Sequence, residues 1–190
     1  LNLQGRMGDL GPNHDYVVSA GASYINNIAS SNGISDEVLG GSEANLSKLN
    51  HYIPAVDVRG KVAKGPWSLW AEYLTATRNF KDTEFTQTRT GHSVNAIEPS
   101  AFHVESAFDF MLWNIKQTVS ASYDYTHEAL AFNLPKTQYA LGYQLTPFKN
   151  TKVTAEYARK QDYDKKESVN LGNGNATVTG TDRIDEVFQV

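Results

Sequence analysis

The chain has 190 residues, with 17 Lys and Arg against 21 Asp and Glu, for a formal net charge of −4. This mild acidity, without a basic block, excludes nucleic acid as an expected partner. The absence of cysteine excludes disulfides, thiolate catalysis and thiolate metal sites, and no run reaches the roughly 18 apolar residues of a membrane helix.

A mean hydropathy of −0.46 still permits a membrane barrel, whose strands show lipid only every second side chain. The pattern along the chain predicts nine β-strands. They cover residues 1–8, 14–25, 51–63, 67–77, 101–112, 115–126, 136–145, 151–160 and 183–190. The first is weakly patterned. In the second, Tyr16, Val18, Ala20, Ala22 and Tyr24 share one face and Asp15, Ser19, Gly21 and Ser23 the other. Period-two alternation with aromatics at both ends of the apolar stripe fits a lipid-facing band between interfacial girdles.

The third strand sets Val56, Val58 and Val62 against Asp57, Arg59 and Lys61, with Pro54 near its start. The fourth sets Trp67, Leu69, Ala71 and Tyr73 against Ser68, Trp70 and Glu72. The fifth opposes Phe102, Val104, Phe108 and Phe110 to His103, Glu105 and Asp109; the sixth opposes Val119, Ala121, Tyr123 and Tyr125 to Lys116, Ser120, Ser122 and Asp124. The seventh carries Tyr139, Leu141, Tyr143 and Leu145 on one face, and the eighth sets Val153, Ala155 and Tyr157 against Lys152, Thr154 and Glu156. The ninth groups Ile184, Phe188 and Val190.

The links between these strands alternate in length. The short ones are 11–13, 64–66, 113–114 and 146–150; the long ones are 26–50, 79–100, 127–135 and 162–181. Short turns at one end and long loops at the other are the pattern of an outer-membrane barrel, with the loops outside. Alternation alone would also fit a soluble sandwich or small soluble barrel, where the apolar face is the core. The one-ended loops and the aromatic edges of the stripe favour the membrane. The expected fold is therefore all-β: a transmembrane antiparallel β-barrel in the bacterial outer membrane, in contact with lipid and lipopolysaccharide.

Single-chain bacterial barrels have an even strand number, so nine strands are expected to be part of a larger barrel of roughly 12–18 strands with a lumen. Residues 1–190 then form one β-barrel fragment. The N-terminal strands and the last residues are expected to be missing, since Phe188 is followed by Gln189 and Val190 rather than closing the strand.

Five segments in order carry a family resemblance: S-Y-I-N-N-I-A-S at 23–30, G-P-W-S-L-W-A-E-Y at 65–73, E-P-S-A-F-H-V-E-S-A-F at 98–108, Y-T-H-E-A-L-A-F-N-L-P-K-T-Q-Y at 125–139, and N-T-K-V-T-A-E-Y-A-R-K-Q-D-Y at 150–163. Together they resemble the C-terminal half of the LbtU-type siderophore porins of Gram-negative bacteria. The loop at 127–135 is the most specific part. The resemblance implies an outer-membrane β-barrel taking up ferric siderophore without the plug domain of energised receptors. It carries over no site residues, and the C-terminus departs from the pattern in lacking a closing aromatic.

The functional candidates are the polar-face residues, expected to line a lumen: Asp57, Arg59, Lys61, Glu72, His103, Glu105, Asp109, Lys116, Asp124, Lys152 and Glu156. Mixed charge there would hold water and select polar solutes; the plainer alternative is cross-strand ion pairing. His14, His51, His92, His103 and His127 show no zinc spacing, and His103 with Glu105 is expected to be a lumenal hydrogen-bonding pair rather than a metal site. No G-x-S-x-G accompanies His92 and Ser93, so no catalytic role is expected, and the reading calls for no cofactor. The long loops, including Asp36, Glu37, Glu43 and the D-K-K-E and L-G-N-G-N-A-T stretches, are expected to be a mobile solvated cap. The expected function is passage of small polar solutes, with ferric siderophore the solute that the resemblance implies. A general porin, or a structural or adhesive barrel acting through its loops, stays open.

Overall fold

The computed structural model describes residues 2–10, 16–29, 51–81, 84–89, 92–171 and 176–190. The strands are β1 (Asn2–Leu10), β2 (Tyr16–Ile25), β3 (Ala55–Lys64), β4 (Trp67–Ala76), β5 (Phe85–Arg89), β6 (His92–Asn95) and β7 (Ser100–Leu112). They continue as β8 (Ile115–His127), β9 (Thr137–Phe148), β10 (Thr151–Gln161), β11 (Ser168–Leu171), β12 (Ala176–Thr179) and β13 (Ile184–Gln189). A single 3₁₀ turn, Leu130–Phe132, lies between β8 and β9.

Nine of them form one antiparallel sheet in the order β1-β2-β3-β4-β7-β8-β9-β10-β13. These correspond to the nine strands that alternation predicts. Among the described residues the sheet is open, with β1 and β13 at its edges. The remaining four strands come from two long connections and make a second sheet, β12-β11-β5-β6.

Turn chemistry fixes the hairpins. Trp113 (φ 53°) and Asn114 (φ 61°) join β7 to β8. Two successive positive φ values are those of a type I′ turn, whose twist matches that of the flanking strands. Trp113 stands there 83% exposed. Gly65 (φ 55°) serves the β3–β4 turn, where a Cβ would be strained. Asn150 (φ 69°) closes β9–β10, with a register irregularity between Thr151 and Val153.

Two expectations change in detail, and a third lies beyond reach. Pro54, which has no N–H to give a ladder, precedes β3; its carbonyl accepts the Thr77 N–H at 2.8 Å. Strand β9 runs on through Pro147 to Phe148, so its turn is only Lys149 and Asn150. The link 11–13 lies outside the described residues.

The larger correction concerns the long connections, whose described parts form a packed cap instead of a solvated one; 30–50, 82–83, 90–91 and 172–175, the last within L-G-N-G-N-A-T, lie outside the described residues. Ala29 and Ile53 come from the β2–β3 connection, Phe80, Phe85 and Ile97 from β4–β7, Leu130 and Ala131 from β8–β9, and Tyr163 and Val169 from β10–β13. All are buried in one cluster at one end of the main sheet. Within the D-K-K-E stretch Glu167 is buried and takes Lys136 Nζ at 2.8 Å. Asp36, Glu37 and Glu43 lie outside the described residues.

Candidate functional site

Register places the predicted residues on the sheet. Side chains of directly paired residues project to the same face, and faces alternate along each strand. Asp57, Arg59 and Lys61 (β3), Glu72 (β4), His103, Glu105 and Asp109 (β7), Lys116 and Asp124 (β8) and Glu156 (β10) all fall on one face. Lys152 sits in the β9–β10 register irregularity and has no direct partner there. The other face carries Val58, Leu69, Tyr73, Val104, Val119, Leu141 and Tyr157.

The apolar face does not have the exposure of a packed core. Leu141 is 60% exposed and Leu69 50%. Aromatics gather at both ends of this apolar face. Tyr16, Trp67 and Phe108 lie towards the short turns; Tyr73, Phe102 and Tyr125 form one paired row towards the cap. Trp67 and Phe108 meet with ring centroids 4.5 Å apart.

The polar face is the more shielded. Asp57 is only 4% exposed. Its Oδ2 accepts from Ser23 Oγ at 2.6 Å and pairs with Arg59 Nη1 at 2.7 Å. His103 Nδ1 lies 2.6 Å from Asp124 Oδ1, while Glu105 is 4.0 Å from Nε2. The expected His103–Glu105 hydrogen bond is therefore replaced by a cross-strand one. Residues at i and i+2 on one strand are farther apart than directly opposed residues, and Asp124 is directly opposite His103. Trp70 tilts against the His103 ring at 4.7 Å. Nearer the short turns, Asp109 pairs with Lys116 at 2.8 Å and accepts from Thr118 at 2.6 Å. Asp57 Oδ1 and His103 Nε2 are buried without a hydrogen-bond partner.

Arg59, His103 and Asp124 belong to one transverse row that alternation alone does not reveal. Gly21, Arg59, Glu72, His103, Asp124, Gln138, Lys160 and Asp185 are paired in sequence across the sheet. Alternation puts Ser23, Trp70, Gln138 and Lys160 on this face without singling them out as candidates, and Asp185 is the member that sequence reasoning missed. Knowing each hairpin's turn length would have supplied the register, and with it the row. No group of three or more metal-ligating side chains occurs among the described residues.

Between this face and the cap lies a cleft of about 280 Å³ lined by Ile25, Ala55, Leu74, Ala76, Ala101, Phe132 and Leu134, with Ser100 its one polar side chain. Ile25, Ala55, Leu74, Ala76 and Ala101 share the polar face by register. The β8–β9 connection, with Ala129 and Phe132, therefore folds over that face.

Two curated proteins are similar to this chain. A UPF0422 protein of Coxiella burnetii is 29% identical over 161 residues, covering 85% of this chain and 31% of its own length. A UPF0422 protein of Legionella pneumophila is 27% identical over 175 residues, covering 84% of this chain and 32% of its own length. The chain thus spans about a third of the length of the curated relatives it matches. No family model and no solved structure matches it.

Proposed function

We propose that this chain is part of a transmembrane β-barrel of the bacterial outer membrane that passes small polar solutes along its charged face. The observation that carries the reading is the contrast between the two faces of one nine-stranded sheet. Among the described residues an apolar, aromatic-edged face has no covering layer, and a charged face lies opposite. In water the apolar face would be a large exposed patch; against acyl chains it is at its lowest free energy. Strand length agrees. The thirteen residues of β7, at about 3.3 Å each and a tilt near 45°, rise roughly 30 Å, the thickness of a hydrocarbon core. Gathering the described parts of the long connections into one cap also suits a barrel with one elaborated end.

Ferric siderophore is the solute that the family resemblance implies. The ordered cap favours a selective entrance over a general porin, because a packed mouth narrows what can enter. Planar-bilayer conductance of the full-length protein is the test. Stepwise channels that a ferric siderophore interrupts support the reading; channels insensitive to it indicate a general porin. A protein that inserts but passes no current is a structural or adhesive barrel.

A further inference from the structure

The cleft beneath the cap differs from the rest of the polar face, because its lining is almost wholly apolar. Leu74 and Ala101 are paired to each other, and Leu74 is also paired to Asp57. Two residues along the same strands stand Glu72 and His103, which are themselves paired. The apolar cleft and the charged row therefore adjoin as one continuous surface.

The charge of that surface is one-sided. In the two pairing rows nearest the cleft Asp57, Glu72 and Asp124 are set against Arg59 and His103, with Lys160 two strands beyond Asp124; Lys61 and Glu105 flank Trp70 one row farther on. Arg59 is engaged by Asp57 at 2.7 Å and His103 by Asp124 at 2.6 Å. The Trp70 ring beside His103 adds an electron-rich surface that attracts cations. An anionic head group would meet carboxylates here, and a neutral apolar solute would leave them unused. A pocket of ~150 Å³ holds benzene, so about 280 Å³ takes one ring with a short arm.

We propose that this cleft is a recognition subsite for an amphipathic organic cation. Its apolar body lies against Leu74, Ala101 and Phe132, and its ammonium or amidinium head turns onto Glu72 and Asp124, one pairing row away. The inference rests on the pore reading only in that solute must reach the polar face.

The test is equilibrium dialysis of the full-length protein in lipid nanodiscs, with empty nanodiscs as the blank. The probes are phenethylammonium, 3-phenylpropionate and methylammonium. Phenethylammonium should bind at least about tenfold more tightly than either of the others. Ala101→Phe fills the cleft and should remove that binding, as should Leu74→Gln if the first variant does not fold. Glu72→Gln should shrink the preference for cation over anion. Equal binding of the ring cation and ring anion, or unchanged binding when the cleft is filled, overturns the proposal. Binding as expected in a barrel without conductance keeps the subsite and removes the pore reading. Conductance without this preference does the reverse.

Discussion

Tyr163 lies in a connection, where exposure is the rule, and yet is fully buried. Its hydroxyl shares a hydrogen bond with Thr126 Oγ1 at 2.7 Å and accepts the Ala129 N–H at 3.1 Å. It thus ties the β10–β13 connection to the end of β8. Burial pushes its hydroxyl above the ordinary tyrosine value. The folded cap therefore holds this proton more tightly than the unfolded chain does. That contribution is complete below the unfolded pKa of about 10 and is lost as pH rises through the folded one. Tyr163→Phe leaves the Ala129 N–H buried without an acceptor, at a cost of about 1–3 kcal/mol. Faster protease cleavage in 162–181, with the main sheet intact, checks this, and the variant should lose the wild type's alkaline loosening of the cap. Gly180 is a second such point. A Cβ there would collide with the carbonyl oxygens of Asp164 and Tyr163, so Gly180→Ala should open the β11–β12 hairpin. Gly60→Ala meets only Ser19 O at 3.8 Å and should be silent in the same assay.

At the level of elements, the long strands were legible because each repeats its pattern over ten or more residues between recognisable turns. Tyr16 to Ile25 shows both aromatic ends of its stripe. The short strands were not legible. Strand β5 is Phe-Thr-Gln-Thr-Arg, with one apolar residue, and its partner β11 belongs to another connection. The cap core was hidden for the same reason. Phe80 and Ile97 are single apolar residues in polar surroundings, Ile53 falls at the start of a predicted strand, and only tertiary pairing brings them together. Alternation likewise assigned the candidate residues to a face without their contacts. His103 meets Asp124 because the type I′ turn at 113–114 sets that register. The faces themselves can be tested with neighbours. Leu69→Arg puts a cation on the apolar face and should cost about 2–4 kcal/mol if that face meets lipid. Ser68→Arg, on the other face between Ala63 and Ala107, should insert normally. The folded fraction in outer membranes, read by heat-modifiable gel mobility, separates them. Equal insertion of both would mean that the apolar face is in water.

Across the whole molecule, charge on the polar face should act as a field rather than as single contacts. Lys61 and Lys160 lie on that face in different strands, several positions apart across the sheet. Replacing both by Gln makes the wall more negative while leaving the Asp57–Arg59 and His103–Asp124 pairs in place. Reversal potentials of the full-length double variant should shift towards cations. The shift should fade as salt rises, since the screening length falls from about 10 Å at 0.1 M to about 3 Å at 1 M. An unchanged reversal potential would mark these lysines as solvated surface.

The pairing of β5 with β11 joins segments roughly eighty residues apart in sequence, whereas the hairpins of the main sheet join neighbours. Local hairpins close at little entropic cost, and distant pairs must wait for the chain between them to be ordered. Assembly should therefore be sequential. β7, β8, β9 and β10 zip as successive hairpins, and only then do Phe85 and Leu171 come within reach. The cap is in this sense a record of completion, closing only over strands already in register. In pulse-labelled hydrogen exchange during refolding, amides of β5 and β11 should gain protection after those of β7 and β8.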